Sequence, residues 1–170
     1  MKTTRPSPSP ALRIRRGSAR DAALILQMIR GLAEYEKLSH EVEATEEGIA
    51  AALFGEHPLL FCEIAEWNGE GVGFAVWFFN FSTFSGRAGV YLEDLFVRPA
   101  FRGRGIGKAL LAHLARLCVE NGWSRLQWSV LDWNTPSIDF YKSLGAEMMD
   151  EWKLCKVTGA ALSQLAKAKP

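Results

Sequence analysis

Along this chain of 170 residues, apolar and polar positions alternate, then recur at helical spacing, then alternate again. Leu12 to Arg15 alternates and reads as a short first strand. Ser18-Ala-Arg-Asp21 has capping-box spacing, with Asp in place of the usual Glu. Apolar residues at Ala22, Ile25, Leu26, Ile29, Leu32 and Ala33 then mark one face of a helix. Thr45 with Glu46 and Glu47 opens a shorter helix that ends near Gly55. Leu59 to Glu66 and Val72 to Phe81 are aromatic and aliphatic runs joined by Asn68-Gly69-Glu70-Gly71, a hairpin signal. Ala88 to Val97 predicts another strand. A helix follows with Ile106, Leu110, Leu111, Leu114, Leu117 and Cys118 on one face, closed by Asn121-Gly122. Leu126 to Leu131 predicts a strand, Thr135-Pro136 a helix that ends before Gly145, and Trp152 to Val157 a final strand. A short helix and a Lys-rich tail come last. The order βααβββαβαβ predicts a single mixed α/β (α+β) domain, and its antiparallel hairpins argue against a fully doubly wound sheet.

Composition narrows this further. The length suits one domain with one large core, expected over 12–166 behind a disordered Pro- and Ser-rich tail at 1–11. That tail lacks the apolar core of a signal peptide. No uninterrupted apolar run is longer than that from Phe74 to Phe79, which is too short to span a bilayer. A net charge of +1 gives no global field for nucleic acid or an anionic membrane. Cys62, Cys118 and Cys155 are odd in number and set among apolar neighbours, as expected of reduced thiols in a cytoplasmic protein. His40, His57 and His113 are scattered, so no metal site is expected.

The densest chemistry lies in Val97-Arg98-Pro99-Ala100-Phe101-Arg102-Gly103-Arg104-Gly105-Ile106-Gly107-Lys108-Ala109. An apolar strand ends at a proline, a glycine-rich turn follows, and a helix begins. Such a turn aims unpaired N–H groups at one spot, with the positive helix end behind them and Arg102 and Arg104 beside them. This is a site for phosphate or diphosphate, though a tight turn that merely starts a helix would use the same glycines. A Walker loop would need Ser or Thr where Ala109 stands, and its first glycine falls on Arg102. A Rossmann turn would need its third glycine at Lys108.

The remaining spelling, Arg-Gly-x-Gly-Ile-Gly, resembles the coenzyme A diphosphate loop of the GNAT N-acetyltransferases. Gly55-Glu56-His57-Pro58, Tyr91-Leu92-Glu93-Asp94, Trp133-Asn134 and Phe140-Tyr141-Lys142 with Gly145-Ala146 extend the likeness. Together they resemble the diamine (spermidine/spermine) and thialysine N-acetyltransferase branch, from about Ile14 to Leu165. The fragments from Ser82 to Arg87 and from Val130 to Asn134 look more like the thialysine type.

The resemblance implies acetyl-CoA as cofactor, no metal, a homodimer, and a small cationic amine as acceptor. It places Arg102, Gly103, Arg104, Gly105, Ile106 and Gly107 at the diphosphate. Leu95, Phe96 and Val97 would offer backbone groups to the pantetheine arm as an extra strand would. Asn134, Thr135, Pro136 and Ser137 would contact cofactor, though helix capping alone would justify Asn134 and Ser137. Tyr141, in the first half of its helix, would protonate the coenzyme A sulfur, and Glu93 would take the amine proton through water. Tyr35, Glu36, Gln127, Trp128 and Ser129 would meet the acceptor.

Two features bear on that acceptor independently of the likeness. Adjacent strand residues face opposite sides, so one of Glu93 and Asp94 is expected near the interior or a cleft, which is costly unless it has a task or a partner. From Glu34 to Glu47 there are six glutamates and one lysine, either a solvated flank or a local acidic field for a cation. The stretch from Ala146 to Trp152 is shorter than in relatives, so an acidic substrate residue maps to Asp150 or Glu151. Phe84 stands where tryptophan is common. Both departures touch the amine side. The expectation is an N-acetyltransferase acting by direct ternary-complex transfer on a polyamine or a lysine-like amino acid such as thialysine. A protein N-terminal or lysine acetyltransferase and a non-catalytic CoA-binding regulator are the alternatives.

Overall fold

The computed structural model describes residues 11–168. The chain divides into two compact units, Met1–Ser129 and Val130–Pro170.

The first unit is built on a five-stranded sheet in the order β1-β2-β3-β4-β5. Its strands are β1 (Leu12–Arg16), β2 (Phe61–Trp67), β3 (Glu70–Ser82), β4 (Arg87–Val97) and β5 (Leu126–Trp128). The first four pair antiparallel and β5 joins β4 in parallel. The β2–β3 turn is the two residues Asn68 and Gly69, both left-handed (φ 53° and 86°), the geometry that matches the twist of a tight hairpin. The tail expectation over 1–11 falls almost wholly outside the described residues; Ala11 itself exchanges hydrogen bonds with Asn68.

Helices α1 (Ala22–Tyr35) and α2 (Glu46–Phe54) cover one face. Ile25, Met28 and Leu53 meet Cys62, Ile64, Phe74, Val76 and Phe96 there in a buried apolar cluster. Thr45 caps α2 by accepting from the Gly48 N–H at 3.1 Å, and Asp21 accepts from the Ser18 N–H at 2.8 Å, as the sequence spacing implies. Helix α3 (Ile106–Glu120) packs on the opposite face, with Ile106, Leu110, Leu111, Leu114 and Cys118 buried. There the buried Glu63 accepts from Arg16 Nη1 at 2.8 Å and Trp77 Nε1 at 3.4 Å, with His113 Nε2 of α3 at 3.5 Å. Arg15 ties the sheet to the start of α1 by pairing with Asp21 at 2.7 Å and Glu66 at 2.6 Å.

One irregularity in β4 matters for function. Trp77 pairs with Leu92 while its neighbour Val76 pairs with Asp94, so Glu93 is an extra, bulged residue. Cross-strand partners share a face and neighbours in β3 do not. Leu92 and Asp94, two apart, therefore lie on opposite faces, and Asp94 joins Val76 and Phe96 on the α1 side.

The second unit carries α4 (Thr135–Ser143) and α5 (Gly159–Leu165). Two expectations are corrected. The strand predicted over Leu126–Leu131 stops at Trp128, and Trp152–Val157 forms no strand. Trp152, Leu154 and Val157 are exposed instead. Alternating apolar residues favour a strand only where a neighbouring strand supplies the hydrogen bonds, and no described strand pairs with this segment. The mixed, mostly antiparallel sheet flanked by helices stands as expected.

Candidate acyl-donor loop and acidic acceptor cavity

The glycine-rich segment folds as the sequence implies. A short 3-10 turn at Pro99–Phe101 ends β4, and Gly103 (φ 73°) and Gly105 (φ 76°) then take left-handed conformations that L side chains rarely adopt. A Cβ built on either glycine meets nothing within 4 Å, so the backbone lies open to a ligand. Gly105 is the N-cap of α3 and offers no side-chain cap. The first helical bond runs from the Ala109 N–H to the Gly105 carbonyl, leaving the first-turn N–H groups from Ile106 to Lys108 without helical acceptors. This cradle fits an anionic diphosphate. Arg104 rests over Trp67 and Phe101, with ring centroids 5.3 and 5.2 Å away. Arg102 donates from Nε to the Val97 carbonyl at 3.0 Å and lies 4.7 Å over Tyr35 and 5.6 Å over Phe96.

An open sheet edge leads to the loop. Strand β5 pairs only with Val90, Tyr91 and Leu92, so beyond the bulge β4 has no further strand on that side among the described residues. The Arg98 N–H donates to Val72 across the sheet. Antiparallel alternation then turns the N–H and C=O of Val97 and Leu95 outward and those of Phe96 towards β3. Of the three residues expected to offer backbone groups, Leu95 and Val97 have them at the edge. Phe96 gives its ring to the core.

Behind β4, on the α1 side, is an open cavity of about 380 Å³ lined by Ile29, Leu32, Ala33, Glu36, Leu38, Glu41, Val42, Glu43, Ala44 and Asp94. Four carboxylates thus share one partly apolar hollow. Burial, then Glu93 and Glu36, raise the Asp94 pKa to about 6. Burial also raises Glu36 above the usual carboxylate range. Part of the acidic Glu34–Glu47 segment is therefore cavity wall. Glu93, chosen from sequence, is exposed on the bulge, whereas Asp94 takes the cleft position. No sequence signal marks the bulge that sends Asp94 to this face. Glu41 and Glu43 were legible only as members of a charged run.

The remaining site residues divide by unit. In the first, Tyr35 lies under Arg102, and Gln127 accepts from Asn80 Nδ2 at 3.2 Å. Ser129 Oγ is 2.7 Å from the Tyr91 hydroxyl, and Trp128 ends β5, partly buried. In the second, the buried Asn134 caps α4 through the Ser137 N–H at 3.4 Å, with Thr135 and Pro136 in the first turn. Tyr141 is partly buried in the last turn of α4 rather than its first half. Asp150 and Glu151 are exposed outside any helix or strand. Among the described residues no cluster could hold a metal ion, and no helix is long and apolar enough to cross a membrane.

Comparison with known proteins agrees with this geometry. A bovine (Bos taurus) thialysine N-epsilon-acetyltransferase is 40% identical over 164 residues, covering 90% of this chain and 96% of that protein. An integron cassette protein from the mobile metagenome of V. cholerae superposes with a TM-score of 0.78 at 28% identity, covering 92% of this chain and 98% of its own. An aminoglycoside N-acetyltransferase in complex with CoA shares the fold with a TM-score of 0.71 at 21% identity, covering 92% of this chain and 99% of its own. The acetyltransferase (GNAT) family model matches residues 25–146, which include the glycine loop, the bulged strand and Tyr141. With a loop of the right spelling and backbone, and likeness over most of its length, the chain belongs to the GNAT family of acetyltransferases.

Proposed function

We propose that residues 12–166 act as one catalytic domain that transfers acetyl from acetyl-CoA to a primary amine of a small cationic acceptor. The observation that carries the acceptor class is the cavity shared by Glu36, Glu41, Glu43 and Asp94. Clustered carboxylates in a half-apolar hollow favour a cation, and the Asp94 pKa is raised first by burial and then by Glu93 and Glu36. The 40% identity to a thialysine N-epsilon-acetyltransferase supports a lysine-like amine, with polyamines as the neighbouring chemistry. In this reading the protein works in the cytoplasm as a homodimer.

Acetyl-CoA supplies the activated acyl group as a thioester. The amides from Ile106 to Lys108, opened by Gly103, Gly105 and Gly107 and flanked by Arg102 and Arg104, hold its diphosphate. Leu95 and Val97 orient the pantetheine arm along the β4 edge, and the reading assigns Asn134, Thr135, Pro136 and Ser137 to the cofactor as well. Tyr35, Glu36, Gln127, Trp128 and Ser129 orient the amine, with Asp94 added to them on the cavity evidence. Glu93, exposed beside Asp94, accepts the amine proton through water, and the Tyr141 hydroxyl gives a proton to the departing sulfur. Transfer is direct, with both substrates bound.

Thiol release measured on a panel of diamines, lysine-like amino acids, neutral amines and peptides tests the reading. Turnover confined to small cations is expected, and Tyr141→Phe should lower kcat by about a hundredfold or more with acetyl-CoA affinity nearly unchanged. Preference for peptides would shift the acceptor to protein. Absence of turnover with every amine would leave a coenzyme-binding regulator.

A further inference from the structure

Arg102 lies where it obstructs as well as where it binds. Its Nε donates to the Val97 carbonyl at 3.0 Å, and its guanidinium lies over the rings of Tyr35 and Phe96. Strand alternation makes that carbonyl one of the few acceptors β4 turns to its open edge. A pantetheine amide laid along the edge needs the same acceptor. The carbonyl has two lone pairs, but a guanidinium seated on it at 3.0 Å and stacked on two rings crowds the edge along which the arm would lie, so the arginine and the pantetheine arm compete for that space.

We propose that Arg102 is a positioning residue that blocks the pantetheine edge of β4 until a diphosphate draws its guanidinium away. This rests on the reading of the loop as the coenzyme A site. The parked position is held by a charge-assisted hydrogen bond and two aromatic faces, a moderate hold that a doubly charged diphosphate on the adjacent amides outcompetes. Once Arg102 moves to the diphosphate, the Val97 carbonyl is released to the arm, and the ring of Tyr35, next to Glu36 of the acidic cavity, is uncovered. The loop thus selects donors that carry a diphosphate twice, by holding it and by withholding the strand edge from donors that lack it. A donor with a thioester and pantetheine but no diphosphate has to displace Arg102 unaided.

The experiment compares two donors, acetyl-CoA and acetyl-pantetheine, by calorimetric dissociation constants with wild-type protein, Arg102→Ala and Arg102→Met. Arg102 is exposed, and the methionine variant keeps an apolar stem over the rings, so at least one folded variant is expected. Acetyl-CoA binding should weaken about tenfold or more in both, while acetyl-pantetheine binding should tighten about threefold to tenfold, a net hydrogen bond's worth of competition removed. Opposite signs on the two donors separate this role from a structural one, which would weaken both. If acetyl-CoA weakens and acetyl-pantetheine does not tighten, Arg102 is only a phosphate ligand and the blocking role is wrong. If acetyl-CoA affinity is unchanged in both variants, the loop is not the coenzyme A site, and that reading fails first.

Discussion

The glycine loop at 99–108 follows β4 and the acidic cavity lies behind the same strand, yet they are built from different materials. The loop is contiguous in sequence and works through backbone: positive-φ glycines, free amides and a helix end. The cavity gathers side chains from the end of α1, the 38–44 connection and one residue of a bulged strand. A backbone site tolerates most side-chain changes and fails when a glycine is lost. A side-chain site is tuned one carboxylate at a time, and its charges cost stability while it is empty. In the proposed reading the donor end is thus the fixed part of the enzyme and the acceptor end the adjustable one.

Breaking the backbone site should have the largest effect. Gly105→Val puts a β-branched residue at φ 76° and a side chain where a diphosphate would approach. Acetyl-CoA should cease to raise the melting temperature of a protein still folded by circular dichroism, at a cost of roughly 1–3 kcal/mol in intrinsic stability. A folded variant with undiminished acetyl-CoA affinity would refute the assignment.

Asp94→Asn should reveal the opposite economy at the cavity. Because burial raises the folded-state pKa of Asp94 to about 6, its ionised form penalises folding above that pH, and the penalty fades as pH falls below it. The variant should be more stable than wild type at pH 7.5, by on the order of 2 kcal/mol, and equal to it near pH 4. Its affinity for diamines should fall about tenfold while acetyl-CoA affinity stays the same. Destabilisation at pH 7.5 would mean that Asp94 has a structural partner rather than a ligand.

Smaller changes grade the cavity. Glu36→Gln should raise the KM for a cationic acceptor severalfold with little change in kcat, the mark of lost uniform binding. Glu41→Gln, at the exposed rim, should do so by about twofold, and added salt should erase its effect first, since exposed charges are screened over about 10 Å at 0.1 M. Equal effects of both changes at high salt would remove the distinction between cavity wall and rim.

What was legible in the sequence follows the same division. Helical periodicity, the Asn68-Gly69 turn and the glycine loop are local signals, and each lies where the pattern puts it. Strand alternation left Glu93 and Asp94 as alternatives for the cleft, and the bulge, which no sequence signal marks, decides between them by leaving Glu93 exposed and Asp94 on the cavity side. The strand expected at Trp152–Val157 failed for a related reason: its alternation is local, but a strand needs a partner. Tyr141, picked out by its context, was expected in the first half of its helix, although Gly145 (φ 89°), read as following the helix end, already leaves it in the last turn.

The central claim is that the acidic cavity receives a cation through ionised Asp94. Calorimetric titration of a diamine into the CoA-bound protein between pH 5 and pH 8 tests it most directly. A diamine with well-separated amines stays fully protonated over this range, so affinity should be steady above pH 7 and should fall as pH drops through about 6 and Asp94 takes up a proton. Asp94→Asn should be weak and nearly flat throughout. Wild-type affinity independent of pH, or an Asp94→Asn profile matching it, would contradict the account.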